Sequence, residues 1–451
     1  MELNKIHKAY FVGIGGIGMS ALARFFKQQG ASVSGYDKTK TPLTEQLQKE
    51  GLDVHYQDDI ALVPTDADLY IYTPAIPPEH KGLRFLKEHN FPLYKRSEVL
   101  GFLSRSFQTI AIAGTHGKTT ICSMLTHLFL AAGIPVNAFI GGIAVNLNSN
   151  FVFRKAASVL IVEADEYDRS FLKLKPEVAV VSAVDEDHLD VYGAYDELKT
   201  AFAGFLHRIE HGGLALIHER VELSCPDKTR LMKYGQSENV NFRLQNVRQQ
   251  KGAMVFDFQL ENESLSRLKL HMPGLYNVEN ALVASAVARV FGISQQAIRK
   301  GLNTYKGVKR RFEIRVNTAR HIYVDDYAHH PRELEACICA AREFFPGNKI
   351  TVAFQPHLYT RTRDLARGFS ESLSLADEVV LLDIYPAREK AIPGVHVKML
   401  MNNIDAEQIY YMSNEEMLEF VKHKQPGVFM TLGAGNIDQM VEDVTNILNQ
   451  R

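Results

Sequence analysis

Apolar runs of strand length alternate with segments of helical apolar spacing along most of the chain, and the breaks between them fall on glycines and carboxylates. The run Lys8-Ala9-Tyr10-Phe11-Val12 stops at Gly13-Ile14-Gly15-Gly16-Ile17-Gly18, and a helical pattern resumes through Ala21, Leu22, Phe25 and Phe26. Strand character returns near 69–73 and 92–94, with helices at 82–89 and 96–106, so a first domain closes near residue 107. A second apolar run, Thr109-Ile110-Ala111-Ile112-Ala113, breaks at Gly114-Thr115-His116-Gly117-Lys118-Thr119-Thr120 and reopens as a helix carrying Ile121, Leu125, Leu128 and Phe129. Two later apolar runs, 158–163 and 178–185, end in acids; a helix follows at 195–210, strand character resumes at 212, and 226–270 reads as a strand-rich edge of the same domain. After an alanine-rich helix beyond Met272 and a basic turn, Gly307-Val308-Lys309-Arg310-Arg311-Phe312, the alternation restarts with strands at 321–325, 349–354, 378–383 and 427–432. The pattern predicts an α/β chain of three domains: a Rossmann-like N-terminal domain (1–107), a central P-loop ATPase-type domain (108–312) and a Rossmann-like C-terminal domain (313–451).

The breaks carry the candidate chemistry. Gly13, Gly15, Gly16 and Gly18 open a helix, and Asp37 ends the next strand, a spacing that suits a diphosphate with a ribose contact. It leaves open which diphosphate, NAD included. At Gly114-x-x-Gly117-Lys118-Thr119-Thr120 the loop is shorter than the usual nucleotide loop, with Ile112 where a further glycine is wanted. A strand before it and a helix after it still predict phosphate binding: backbone N–H groups and the helix dipole favour an anion, Lys118 reaches the β/γ-phosphates, and Thr119 ligates Mg²⁺. Glu163, the first polar group after a buried strand beside that loop, is a candidate metal carboxylate, whereas Asp165, Asp187 and Asp190 suit solvated loops or caps equally well. His188 is not a preferred Mg²⁺ ligand by chemistry alone. Asn277 and Asn280 share one helix face; capping accounts for one, and the other amide is expected to read a ligand edge. The basic turn reads either as a phosphate clamp or as a solvated charge run.

Composition narrows the field. With 46% hydrophobic residues, 23% charged and a net charge of −1 over 451 residues, nothing in the bulk electrostatics draws the chain to nucleic acid or a membrane surface, so phosphate sites must be built locally. Cys122, Cys225, Cys337 and Cys339 form no metal-ligand spacing and suit a reducing compartment. The apolar start is broken by glycines, unlike a signal peptide, and no segment approaches the ~18 unbroken apolar residues of a membrane span. A cytoplasmic protein with no membrane insertion and no nucleic-acid partner is expected; the oligomeric state is not legible.

Taken together, Gly114-Thr-His-Gly-Lys-Thr-Thr, Glu163-Ala-Asp-Glu, Asp187-His-Leu-Asp190, Asn277-x-x-Asn280-Ala, Arg310-Arg-Phe, Asp325-Asp-Tyr-x-His-His-Pro331 and Phe354-Gln-Pro-His-x-Tyr-Thr-Arg-Thr-Arg-Asp364 resemble the Mur ligase family, above all its alanine-adding members. The resemblance spans essentially the whole chain. It implies an ATP-dependent ligase joining the carboxylate of UDP-N-acetylmuramate to the amine of L-alanine through an acyl phosphate. The Gly13–Gly18 turn and Asp37 would then hold the UDP-sugar rather than NAD. Residues Gly114 to Thr120 would bind ATP and Mg²⁺, with Glu163 and His188 as metal ligands and Asn277 and Asn280 at the adenine. Arg311 and Asp325 would reach the nucleotide, while His330, His357 and Arg361 would meet the amino acid, with Lys118, His188, Arg311 and His330 as the catalytic set. Alanine-adding members usually carry an arginine where this chain has Leu358, which removes one cation expected near the amino-acid carboxylate. Glu166-Tyr167-Asp168 and Ala328-His329-His330 look more like the related ligase that attaches a recycled tripeptide. The carbamylated lysine of several relatives falls here on Ala203, so no modified lysine is expected, with Lys199 a weak substitute. A nucleotide-dependent dehydrogenase would leave the second loop without a purpose, and an ATP-driven switch would leave the His and Arg rim of the third domain unexplained.

Overall fold

The computed structural model describes residues 3–185, 192–250, 252–260, 263–387 and 389–450. The first glycine-broken run forms β1 (Lys8–Val12), which joins β2 (Ser32–Tyr36), β3 (Asp53–His55), β4 (Leu69–Tyr72) and β5 (Leu93–Lys95) in a parallel sheet of order β3-β2-β1-β4-β5. Tyr10, Phe11 and Val12 are buried, as a strand covered on both faces requires. The order reverses at β1, so the Gly13–Gly18 turn sits at the switch point of the sheet, where open α/β folds bind ligands.

The second sheet has ten strands: β6 (Gln108–Ala113), β7 (Val136–Ala144), β8 (Ser149–Val152), β9 (Val159–Glu163), β10 (Val178–Val181), β11 (Leu214–His218), β12 (Arg230–Gly235), β13 (Phe242–Gln250), β14 (Ala253–Leu260) and β15 (Glu263–Leu270). Their order is β15-β14-β13-β12-β11-β10-β6-β9-β7-β8. β6 runs parallel to β9 on one side and to β10 on the other. That registry brings the loop after β6, Glu163 and Asp185 to one edge. The third sheet contains β16 (Glu313–Asn317), β17 (His321–Asp326), β18 (Ile350–Phe354), β19 (Glu378–Leu381), β20 (Gln408–Tyr411) and β21 (Gly427–Leu432), ordered β16-β17-β21-β18-β19-β20 with only β16 antiparallel.

By compactness the chain divides in two. One unit comprises Met1–Asn246, Phe256–Leu268 and Glu279–Tyr305; the other comprises Val247–Val255, Lys269–Val278 and Lys306–Arg451. The expected strand-rich edge at 226–270 is present, but its chain is shared between the units. In the first unit, one apolar core runs from β1 through the helix Ile17–Gln28 into the second sheet. Phe25 on that helix packs against Phe139, Phe151 and Phe153, at ring separations of 5.9, 6.3 and 5.9 Å. The helix expected over 195–210 is Tyr195–Leu206, because the chain must turn at Gly212 and Gly213 to enter β11. No helix among the described residues is long and apolar enough to cross a membrane.

Candidate functional site

In the first unit the loop after β6 enters the helix Lys118–Ala131 through Gly117, whose φ of +83° is a backbone state that glycine adopts without strain. The Lys118 ammonium bonds the Gly114 carbonyl at 2.6 Å and Glu166 Oε1 at 2.8 Å. Burial disfavours that charge, but the carboxylates of Glu166, Glu163 and Asp165 outweigh it and raise the Lys118 pKa; burial pushes the Glu166 carboxyl up. Thr119 Oγ1 donates to Glu163, 2.9 and 3.1 Å from its two oxygens, and the Gly141 N–H on β7 donates to the same carboxylate at 2.9 Å. A side chain at Gly141 would collide with Glu163. Among the described residues no group of three or more His, Cys, Asp or Glu side chains forms a metal cluster. The Thr119 hydroxyl and Glu163 carboxylate are hard oxygen donors of the kind Mg²⁺ takes when phosphate and water complete its shell. His188, Asp187 and Asp190 lie outside the described residues.

The loop is stitched to the end of β10 by groups the sequence did not single out. Ser182 Oγ donates to the carbonyls of His116 and Ala113, the Thr115 N–H donates to Ala183 O at 3.0 Å, and the Asp185 N–H donates to Thr115 Oγ1 at 3.1 Å. His116 Nε2 lies 3.4 Å from Asp185. Thr120 is buried in the helix, and its carbonyl accepts from Tyr305 at 3.4 Å. Asn280 Oδ1 lies 2.6 Å from where a Cβ on Gly117 would stand, which puts its amide against the loop. Ala203 lies on the helix Tyr195–Leu206, and the Lys199 ammonium sits over the Tyr195 ring at 5.0 Å.

At the turn after β1, Gly13 and Ile14 donate to Tyr36 O at 2.8 and 2.9 Å, while Gly15 N–H donates to Asp37 Oδ2 at 2.7 Å and Thr39 N–H to Oδ1 at 3.2 Å. Asp37 therefore closes the turn on itself with both oxygens. Gly16 caps the helix Ile17–Gln28 without a side-chain partner for the first N–H groups, the arrangement an anion fills. Arg96, missed in the sequence, reaches the same place: its Nη1 lies 2.6 Å from a Cβ position on Gly18, and its Nη2 is 3.9 Å from Asp165. Only the sheet order places residue 96 beside residue 18.

In the second unit, Asn277 Nδ2 donates to Pro273 O at 2.7 Å, so this asparagine is the one held by its own helix start. Asp325 is fully buried between Arg310 Nε (3.2 Å) and Thr431 Oγ1 (2.8 Å), the residue opposite it on β21. Burial outweighs both partners and raises its pKa to about 6. Arg310 takes Asp325, while Arg311 faces the next carboxylate, Asp326, which also accepts the Phe312 and Ala328 N–H groups. Arg310 and Arg311 both lie over Tyr327, at 5.3 and 5.4 Å. His330 caps the helix Pro331–Phe344, its Nδ1 accepting from Arg332 at 3.4 Å. His329 is the histidine whose ring meets His357, at 6.3 Å, and burial, with Arg361 nearby, outweighs Glu333 to lower its pKa. His357 stacks on Tyr385 at 5.8 Å. Arg361 Nη1 is buried with no hydrogen-bond partner among the described residues. Leu358 holds a φ of +73° at the start of the helix Tyr359–Asp364, a strained state for leucine.

This geometry has close counterparts. Residues 8–108 match the Mur ligase family catalytic domain, 112–288 the Mur ligase middle domain and 310–435 the Mur ligase glutamate ligase domain. The chain is 43% identical to the UDP-N-acetylmuramate–L-alanine ligase of Cytophaga hutchinsonii, over 100% of this chain and 99% of that protein. It is 41% identical to the protein of that name in Flavobacterium johnsoniae, over the full length of both. The crystal structure of a UDP-N-acetylmuramate-alanine ligase from Thermotoga maritima superposes with a TM-score of 0.83 at 27% identity, covering 98% of each chain. The fold is also that of a murein peptide ligase from Psychrobacter arcticus, with a TM-score of 0.72 at 20% identity over 99% of each chain. With three domain matches in order and full-length relatives above 40% identity, the chain belongs to the Mur ligase family and is an ATP-dependent ligase.

Proposed function

We propose that the protein joins the carboxylate of UDP-N-acetylmuramate to the amine of L-alanine through an acyl phosphate, a cytoplasmic step of peptidoglycan precursor synthesis. The observation that carries the proposal is the edge of the second sheet, where the Lys118 ammonium and the Thr119–Glu163 oxygen pair stand at one phosphate-binding turn. Mg²⁺ held by Thr119 and Glu163 would supply charge neutralisation at the phosphates. In the first step a carboxylate oxygen of the muramyl group attacks the γ-phosphorus and ADP leaves; Lys118 balances the charge on the transferring phosphoryl group. In the second the amine attacks the acyl carbon and phosphate leaves. The glycine turn after β1 and Arg96 suit the UDP diphosphate. Arg361, with an unmet buried donor, suits the amino-acid carboxylate beside His357. His329, whose pKa burial lowers and whose Nδ1 lies 3.0 Å from the Tyr327 carbonyl, suits the role of accepting the amine proton at Nε2, whereas the Nδ1 of His330 accepts from the Arg332 N–H at a helix start.

Leu358 favours a second reading, ligation of a recycled tripeptide, since that substrate presents its free amine in the same chemistry with a longer chain behind it. One experiment tests both. ADP release is followed across UDP-sugars against L-alanine, other amino acids and the tripeptide, with NAD reduction in parallel. The UDP-N-acetylmuramate carries oxygen-18 in both carboxylate oxygens. The expected result is ADP release with UDP-N-acetylmuramate and L-alanine and one labelled oxygen in each phosphate. Preference for the tripeptide would install the second reading. Unlabelled phosphate alongside amide formation would overturn the acyl-phosphate route.

A further inference from the structure

Asn150 is fully buried on β8, a strand of the second sheet, yet every polar atom of its side chain is engaged by the first sheet's helix Ile17–Gln28. Its Nδ2 donates to the Ile17 carbonyl and to Ser20 Oγ (3.0 Å), and its Oδ1 accepts from Arg24 Nη1. Those partners fix the amide orientation, because a carbonyl can only accept and a guanidinium can only donate. Arg24, itself 6% exposed, completes its fork on Glu50, with Nε and Nη2 at 2.7 and 2.8 Å. Ile17 and Ser20 belong to the first turn of the helix that the Gly13–Gly18 turn opens, so two of the amide's three bonds grip the anion-binding end of that helix.

The other end of this grip leads to the metal carboxylate. β8 pairs with β7 at Ala138–Val152 and Phe139–Phe151, β7 pairs with β9 at Ala138–Ile161 and Phe139–Val162, and the Gly141 N–H of β7 holds Glu163 at the end of β9. From the helix start to Thr119, every link is therefore a hydrogen bond or a strand pairing within one compact unit. Apolar packing of Phe25 on Phe139, Phe151 and Phe153 holds the surfaces together, but rings slide at little cost, whereas three hydrogen bonds to one buried amide admit one register.

We infer that Asn150 is a positioning residue for ligation: it sets the distance between the sugar-nucleotide turn and the Thr119–Glu163 phosphate site, and so the approach of the muramyl carboxylate to the γ-phosphorus. The inference rests on the proposed function. A misplacement of the order of 1 Å between reacting groups costs roughly a hundredfold in rate while leaving each half-site able to bind.

The test uses the full chain with Asn150→Leu, which keeps the branching at Cγ and removes the amide, and Ser20→Ala, which removes one acceptor and leaves Arg24 on Glu50. Steady-state kinetics are measured well below the melting temperature, with calorimetric affinities for UDP-N-acetylmuramate and ATP. The expected result for Asn150→Leu is a kcat at least ~10-fold lower, with the ATP KM and both affinities within about 2-fold of wild type, and for Ser20→Ala a drop of roughly 3-fold in kcat alone. A purely structural role would lower the melting temperature and leave kcat per folded molecule unchanged, and that outcome overturns the inference. Should Asn150→Leu not fold, the Ser20→Ala split decides. If the wild-type protein forms no amide, the proposed function fails; if it forms amide and both variants match it, only the role of Asn150 fails.

Discussion

Leu358 is a site where one side chain and one backbone angle pull in different directions. Its φ of +73° lies where leucine is strained, and its N–H donates to Tyr385 O at 2.9 Å, which ties it to the strand end that stacks Tyr385 on His357. The fixed backbone orients Arg361, one turn on, whose Nη1 has no partner among the described residues. Leu358→Arg should therefore lower the KM for L-alanine by roughly 5-fold and leave that for ATP unchanged, since a second charge-assisted contact acts on that substrate alone. A rise or no change would place residue 358 away from the carboxylate. The same scale explains why consecutive residues take different partners. Successive side chains of a strand point to opposite faces, so Asp325 turns to Thr431 and Arg310 while Asp326 turns to Arg311. Which face receives which acid depends on pairing with β21, and nothing local to Asp325-Asp326 records it.

Among the elements, the amino ends of the third sheet are pinned by charge. Glu378 starts β19, with Lys424 and Lys349 (2.9 Å) on its carboxylate and Thr351 Oγ1 donating at 2.8 Å; Lys349 also bridges to Glu407 at 2.9 Å. Burial pushes the Glu378 carboxyl up, but the hydrogen bonds from Lys424, Lys349 and Thr351 outweigh it and hold it at about 2. A carboxyl depressed in the fold contributes stability that is fully present above its unfolded value near 4.5 and is lost as pH falls toward 2. The contribution at pH 7 is about 3 kcal/mol at most. Glu378→Gln should lose stability of that order at pH 7, and the difference from wild type should shrink steadily between pH 5 and about 2 in urea titrations. A difference that does not change with pH would assign the effect to packing instead. The turns at the other edges of the sheets were legible because each is a local signal, an apolar run ending in glycine or acid. Arg96, Ser182, Gly141 and Asn150 were not, because each acts on a residue remote in sequence and carries no motif of its own.

For the whole molecule, the first sheet is not an independent body. Its helix Ile17–Gln28 buries Phe25 and Arg24 against residues of β7 and β8, and the apolar core continues from one sheet into the next. Residues 1–107 expressed alone should consequently melt broadly and bind a hydrophobic dye, because exposing Phe25 and leaving Arg24 without Asn150 removes several kcal/mol (~3 to 5) from a small domain. A sharp cooperative melt at the temperature of the full chain would show the shared core to be dispensable. Sequence alone determined the α/β class, the succession of glycine turns and acid-tipped strands, and the family resemblance, since each follows from local periodicity and from motifs a few residues long. Tertiary structure alone decided which distant groups complete each turn: Arg96 at Gly18, Gly141 on Glu163, Ser182 on His116, Asn150 on Ile17, and Arg310 on Asp325. The physical reason is common to them all: a buried polar group takes the partner that strand order and register bring within hydrogen-bonding reach, and sheet order is a property of the folded chain, absent from any stretch of its sequence.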